Sequence, residues 1–188
     1  SRDYDFPMFG APKTMDNDVY GTDRTYGFDS AVEQTVHFLR NIRTTAKSHK
    51  RLFVAEVMGR HAGWVALHAG VAEGIDITLL PEEDINMDEI FTKVKKVMDK
   101  KGWGIMLVSE GARVFDKRYT PEVTERHEAL LDDVISQDKF AVLKAMHNMP
   151  KKLDPFGNEE LGGVGEYIYS MLKVHLPEDK WRLVNEKN

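Results

Sequence analysis

The chain has 188 residues, enough for one domain with a substantial core, and its 41% hydrophobic and 30% charged residues are typical of a globular protein. The net charge of −5 argues against a general nucleic-acid binder, and no apolar run is long enough to span a bilayer. The lack of Cys excludes disulfides and thiolate metal sites, and no signal peptide is visible. We therefore expect one cytoplasmic domain, residues 1–188, in which any phosphate site is local.

A polar stretch, APKTMDND, occupies residues 11–18. A surface turn explains it simply, because Asp and Asn bond their own backbone and tolerate turn geometry. Phosphoryl-transfer chemistry is the alternative. One carboxylate can deprotonate an alcohol, a second can hold a divalent cation, and Thr and Lys can donate to a migrating phosphoryl group. Taken alone, the stretch leaves both interpretations open.

Helices and strands alternate after this stretch. An apolar face with helical spacing runs through residues 28–46, and Ser30 and Glu33 have the spacing of a capping box at its start. Residues 51–57 are a short apolar run rich in β-formers, followed by Gly59 and an Ala-rich helical pattern. The pattern predicts a helix, a strand, a tight turn and a second helix.

The same alternation continues to residue 111. A buried-type strand within residues 75–82 is stopped by Pro81, and the next helix has Asn86 as its cap and Gly102 as its stop. A third apolar strand follows within residues 103–111. This order predicts an α/β fold, a parallel sheet with helices on both faces, in which ligands bind beyond the carboxyl ends of the strands.

The remainder of the sequence is less regular. Residues 113–128 are charged and predict a loop, residues 127–149 predict a helical segment, and another helix is expected from about Val164. The GGVG stretch at residues 162–165 lacks the Lys-Ser/Thr pair of a P-loop and does not follow a strand, so it is interpreted as the loop that begins this helix.

Three polar clusters lie at predicted strand or apolar-run ends, residues 13–18, 58–60 and 109–111, and can converge on one rim. Gly59 and Arg60 at a helix start offer free N–H groups, a helix dipole and a guanidinium, which suit a phosphate. The simpler alternatives are that they form a tight turn with a solvated arginine, and that the glutamate of the third cluster is a cap or salt-bridge partner.

The motifs PKTMDND, GTDRTYGFDSAV, EVMGRHAGW, LLPE and SEGA, in this order, resemble the phosphofructokinase family, strongly over residues 7–111. The resemblance implies that Asp16 accepts the proton of the fructose 6-phosphate 1-hydroxyl. It also implies that Thr14 contacts the transferred phosphoryl group and that Asp18 lies at a Mg²⁺ site.

The second group of implied roles concerns the sugar phosphate. The resemblance implies that Met58 and Gly59 contact it, that Arg60 stabilises transition-state charge and that Glu110 binds sugar hydroxyls. Arg51 matches a family arginine that reaches the 6-phosphate from a neighbouring subunit, which implies a homo-oligomer.

Lys13 bears on the phosphoryl donor. The family usually has Gly here in ATP-dependent bacterial members, whereas Lys is typical of pyrophosphate-dependent members and occurs in some ATP-dependent lineages. A lysine can fill space used by a nucleotide and supply charge to pyrophosphate. The resemblance therefore favours pyrophosphate over ATP as the donor.

Two family features have no match in the chain: the glycine-rich amino-terminal donor segments and the GHxQRGG stretch that completes the sugar-phosphate pocket. The chain thus resembles the acceptor half of the enzyme. A non-catalytic sugar-phosphate-binding module, or an inactive fragment, is the alternative. The presence of Asp16 and Arg60 favours a part of a catalytic enzyme over a non-catalytic binder, since a binder has little need for a base carboxylate.

Overall fold

A computed structural model of the chain describes residues 7–115, 163–176 and 182–187. The strands are β1 (Lys13–Thr14), β2 (Tyr26–Gly27), β3 (Arg51–Val57), β4 (Ile77–Leu79), β5 (Asp84–Asn86), β6 (Gly104–Ser109), β7 (Arg113–Phe115) and β8 (Arg182–Lys187). The helices are α1 (Phe28–His49), α2 (Trp64–Glu73), α3 (Met87–Lys101) and α4 (Val164–His175).

The centre of the fold is a four-stranded parallel sheet with the order β4-β6-β3-β8. In β3 every residue from Leu52 to Val57 is buried, as expected for a strand covered on both faces. The parallel register joins Val57 to Ser109, so the ends of β3 and β6 lie side by side. Two parallel pairs, β1-β2 and β5-β7, lie outside this sheet. The predicted parallel α/β fold is confirmed.

Helices cover both faces of the sheet. Alternate residues of β3 point to opposite faces: Phe53 and Ala55 pack with α1 and α2, while Leu52 and Val54 pack with α3 and α4. Each face therefore has its own apolar cluster. The amphipathic pattern seen in the sequence is the consequence of this two-sided burial.

The helix ends agree only partly with the sequence prediction. Asn86 caps α3, its side chain accepting from the N–H of Asp88, and Gly102 ends this helix with a φ of 71°. The predicted capping box of Ser30 and Glu33 is wrong. The helix α1 begins at Phe28, after Gly27 in the left-handed conformation, so Ser30 already lies in the first turn.

The carboxyl-terminal part contains more strand than predicted. Residues 113–115, predicted as loop, form β7, which pairs with β5. The chain after α4 adds β8 to the main sheet beside β3, where the sequence analysis predicted no strand. The predicted helix from Val164 is confirmed, and the helical prediction for residues 127–149 lies outside the described residues.

The helices bury one face and expose the other. Even α1, with 22 residues, buries only four of them, Phe28, Thr35, Leu39 and Ala46. Within the ranges that the structure describes, no helix combines the length and hydropathy needed to cross a membrane. The helices therefore serve to cover the sheet.

Two valines test the importance of this burial. Val94 of α3 is 0% exposed against the sheet, whereas Val71 of α2 is 74% exposed. We expect Val94→Ala to lower the free energy of unfolding by about 1–3 kcal/mol, because it removes buried methyl groups and leaves a cavity. Val71→Ala, the matched control, should change it by less than about 0.5 kcal/mol. Urea unfolding followed by circular dichroism measures both, and equal effects would contradict this packing.

Candidate functional site

The first polar cluster is a loop organised around Thr14 and Asp16. The Thr14 hydroxyl donates to Asp16 Oδ2 at 3.0 Å and accepts from the Asp16 N–H at 3.2 Å. Both side chains are partly buried, whereas Lys13 and Asp18 on either side are exposed. The loop therefore fixes one carboxylate by a hydroxyl and leaves a cation and a second carboxylate facing outward.

Two residues that the sequence analysis did not assign a role, Asn17 and Thr25, hold this loop. Asn17 has a φ of 56°, and its Oδ1 accepts from the Thr25 N–H at 2.9 Å. Thr25 is 4% exposed and its hydroxyl donates to the Thr14 carbonyl at 2.6 Å. The GTDRTYGF segment thus returns alongside the loop and pairs with it through β1 and β2. Asn is among the few residues that adopt a positive φ readily, which was the available signal.

The second and third clusters meet at the ends of β3 and β6. Glu110 Oε1 accepts from the N–H groups of Gly59 and Arg60, at 3.2 and 2.9 Å. The Glu110 N–H donates in turn to the carbonyl of Val57 at 2.9 Å. One carboxylate therefore fixes the turn that carries Met58, Gly59 and Arg60. The prediction that Gly59 and Arg60 begin a helix with free N–H groups is wrong, because α2 begins only at Trp64 and both N–H groups bond Glu110.

Close backbone packing at this turn requires glycine at two positions. A Cβ added to Gly59 would lie 2.7 Å from the Ala62 carbonyl oxygen, and a Cβ added to Gly111 would overlap the carbonyl oxygen of Arg60. Ser109 lies behind Gly59 and is fully buried. The two loops are thus interlocked, with Met58 exposed and Arg60 half-buried at the rim.

The first cluster is linked to the other two through the helices. The side-chain hydrogen bonds that involve Thr14, Asp16 and Asn17 lie within residues 14–25. Because α1 ends just before β3 begins, its start lies toward the carboxyl end of β3. There the buried Phe28 ring packs edge-on against His68 of α2, with centroids 5.1 Å apart. The structure therefore puts the loop on the same side of the sheet as the helix that follows Arg60.

Arg51 lies elsewhere. It begins β3, so about 20 Å of extended strand separates it from Met58. At that opposite edge it pairs in register with Arg182 of β8. Both arginines line a cavity of about 380 Å³, together with Tyr169, Lys173, Leu176, Leu183 and Val184. The sequence analysis did not find Arg182, because the register of a parallel strand pair cannot be read from one sequence.

A magnesium site would draw on the first loop. Among the described residues, no group of three or more His, Asp or Glu side chains converges as a metal cage. Asp16 and Asp18 nevertheless provide two carboxylates two residues apart. Mg²⁺ is commonly held by one or two carboxylates together with substrate phosphates, so these residues fit such an ion.

The fold and site together define an α/β protein in which a glycine- and arginine-bearing turn and Glu110 meet at the carboxyl ends of two parallel strands, with a separate acidic loop before α1. The chain matches the family model described as Phosphofructokinase over residues 1–154. It therefore belongs to the phosphofructokinase family.

The chain is similar both to relatives named for ATP and to relatives named for pyrophosphate. The ATP-dependent 6-phosphofructokinase of Corynebacterium efficiens is 37% identical over 179 residues, covering 94% of this chain and 44% of that protein. The pyrophosphate–fructose 6-phosphate 1-phosphotransferase of Amycolatopsis mediterranei is 38% identical over 161 residues, covering 86% of this chain and 39% of that protein. The chain thus spans less than half the length of these relatives.

A solved structure gives the same fold. The crystal structure of pyrophosphate-dependent phosphofructokinase from Nitrosospira multiformis superposes with a TM-score of 0.52 at 32% sequence identity. The match covers 56% of this chain and 29% of that one. The parallel sheet and its helices are therefore those of a phosphofructokinase segment.

The Thr25 hydroxyl provides a test of the loop geometry. Thr25→Val removes a bond between two segments, so amide exchange at Asp16 and Thr25 should accelerate about tenfold, the scale of one lost buried hydrogen bond. Thr35→Val is the matched control: Thr35 is also 4% exposed, but its hydroxyl bonds Ala31 within a turn of α1. Hydrogen exchange read by NMR measures both variants. Unchanged exchange in Thr25→Val would show that Thr25 does not hold the loop.

Proposed function

We propose that this chain carries the acceptor part of a 6-phosphofructokinase, which moves a phosphoryl group from pyrophosphate or ATP to the 1-hydroxyl of fructose 6-phosphate. The observation that carries the proposal is the turn at Gly59 and Arg60, fixed by Glu110 beside a parallel-sheet edge. Family membership supports the reaction class. Phosphoryl transfer depends mainly on positioning and charge neutralisation, which a rigid turn and an ordered carboxylate can supply.

Asp16 is proposed as the general base. It takes the proton of the sugar 1-hydroxyl while that oxygen forms its bond to phosphorus, and the donor's leaving group departs with the electrons of the broken P–O bond. The Thr14 hydroxyl bonded to Oδ2 orients the carboxylate and leaves Oδ1 for the proton. Thr14 would also contact the transferred phosphoryl group as it passes.

The turn of Met58, Gly59 and Arg60 is proposed as the binding site of the acceptor, fructose 6-phosphate. Met58 and Gly59 contact the sugar phosphate, and the Arg60 guanidinium stabilises the charge that develops during transfer. Glu110 uses Oε1 to hold the turn, and its second oxygen, Oε2, would accept from sugar hydroxyls. One residue would then both build the site and bind the substrate.

Mg²⁺ is the proposed cofactor, with Asp18 as its protein ligand. When bound, it neutralises charge on the donor phosphates. The exposure of Asp18 at the end of the loop supports this role, because such an ion must be shared with a substrate that enters from solvent.

Pyrophosphate is the proposed donor, with ATP as the alternative. Lys13 is exposed immediately before Thr14, where an ammonium group can meet donor phosphates. Because the relatives include enzymes named for each donor, they do not decide between the two donors. The preference for pyrophosphate therefore rests on Lys13.

A homo-oligomer in the cytoplasm completes the proposal. Arg51 would serve the 6-phosphate of a partner subunit rather than the turn at the far end of its own strand. Two features support this: its distance from Met58 along β3, and the cations Lys173 and Arg182 that line the same cavity.

Asp16→Asn in the complete enzyme, with the donor-binding segments present, tests the base. We expect turnover to fall at least about a hundredfold, the scale of losing one essential electrostatic group, because the amide cannot take the proton. The rate of fructose 1,6-bisphosphate formation, measured with pyrophosphate and with ATP, also identifies the donor. Asp29→Asn, an exposed carboxylate on α1, is the control. Near-normal turnover in Asp16→Asn would remove Asp16 from the mechanism.

A further inference from the structure

A carboxylate buried inside the molecule holds the start of α4. Glu56 of β3 is only 7% exposed, and its two oxygens accept separate backbone hydrogen bonds. Oε1 accepts from the Gly163 N–H at 2.8 Å and Oε2 from the Gly165 N–H at 2.7 Å. Gly163 caps α4 and Gly165 lies in its first turn, more than a hundred residues away along the chain, so Glu56 joins two distant segments.

The glycines of this stretch fit the carboxylate. Gly163 has a φ of 85°, and a Cβ added to Gly165 would lie 2.9 Å from Glu56 Oε2 and 3.2 Å from Glu56 Cβ. Any larger residue at 165 would therefore push the carboxylate away. This gives the described glycines of the GGVG stretch a structural role: the N–H groups of Gly163 and Gly165 are occupied by a side chain of the protein itself.

Charge makes this contact strong. The free N–H groups at a helix start carry partial positive charge, and hydrogen bonds to an ionised carboxylate are shorter and stronger than neutral ones. Burial raises the cost of losing either bond, since the charge would remain without solvent. Glu56 therefore holds the start of α4, while apolar packing holds the rest of the helix on the sheet.

The position of Glu56 relates this contact to the acceptor turn. Glu56 is the penultimate residue of β3, two residues before Met58. Glu110, the residue after β6, holds the turn that begins at Met58. Further along α4, Tyr169 and Lys173 line the cavity that Arg51 also lines. Displacement of α4 would thus change both the turn after β3 and the cavity at the start of β3.

We propose that Glu56 is a positioning residue: by holding the first turn of α4, it fixes the end of β3 and thereby the orientation of the Met58–Gly59–Arg60 turn. Its effect on fructose 6-phosphate binding rests on the proposed function. Its effect on the geometry of the turn does not.

Glu56→Gln tests the proposal, because the amide can accept from one glycine N–H but presents its NH₂ group to the other. Hydrogen exchange of the 188-residue chain is followed in residues 58–62 and 163–166, with residues 90–98 of α3 as the internal reference. We expect both segments to exchange at least about tenfold faster while the reference is unchanged, the scale of a lost charge-assisted bond.

Glu73→Gln is the matched control. The Glu73 side chain is also largely buried and binds Arg40 and Arg43, but at the far end of α2. It should leave exchange in residues 58–62 unchanged. Faster exchange in 163–166 alone in Glu56→Gln would overturn the proposal, because the contact would then be a local anchor.

Gly165→Ala provides a second variant if Glu56→Gln does not fold. It keeps the glutamate itself unchanged, but the added methyl group pushes the carboxylate away. Residues 58–62 should therefore again exchange faster, and unchanged exchange would reject the positioning role. Calorimetry with fructose 6-phosphate adds the functional readout, for which we expect a dissociation constant at least about tenfold higher in Glu56→Gln. If the unaltered chain binds no fructose 6-phosphate, the proposed function fails, while the exchange comparison still decides the role of Glu56.

Discussion

The hydrogen bonds from the Gly59 and Arg60 N–H groups to Glu110 are the interaction on which the candidate site depends. They form because β3 and β6 are adjacent, parallel and in a register that ends both strands together. Gly111 allows the second loop to approach the Arg60 carbonyl, and Gly59 allows the turn to close on Ala62. The parallel sheet thus brings together two short loops that are about fifty residues apart in sequence, and hydrogen bonds hold them in one fixed arrangement.

A second carboxylate, Glu56, belongs to β3 itself. Glu110 holds the turn after β3, and Glu56 holds α4 against the strand just before it. The two edges of the sheet then differ in character. The carboxyl edge carries the ordered turn, whereas the amino edge carries Arg51 and Arg182 around a cavity. In our proposal these edges serve different subunits of an oligomer, which explains why residues of one substrate site lie far apart in one chain.

Apolar periodicity was sufficient to predict the described helices and the strands β3, β4 and β6, because each buries a face or a whole strand in the core. It missed β8, whose sequence RLVNEK alternates weakly and gains its place only by pairing with a distant strand. The roles of Asn17 and Thr25 depend on contacts between segments, which no local pattern encodes. Glu56 did leave a signal: a lone acid inside the apolar run RLFVAEV needs a buried partner.

Titration of the 188-residue chain with fructose 6-phosphate by calorimetry tests most directly whether the interlocked turn forms an acceptor site. The account predicts saturable binding that weakens at least about tenfold in Gly111→Ala, because the added methyl group forces the turn away from Glu110. Gly10→Ala, where an added Cβ meets no atom within 4 Å, should bind like the unaltered chain. Absence of binding by the unaltered chain, or equal affinity in Gly111→Ala, would contradict the account.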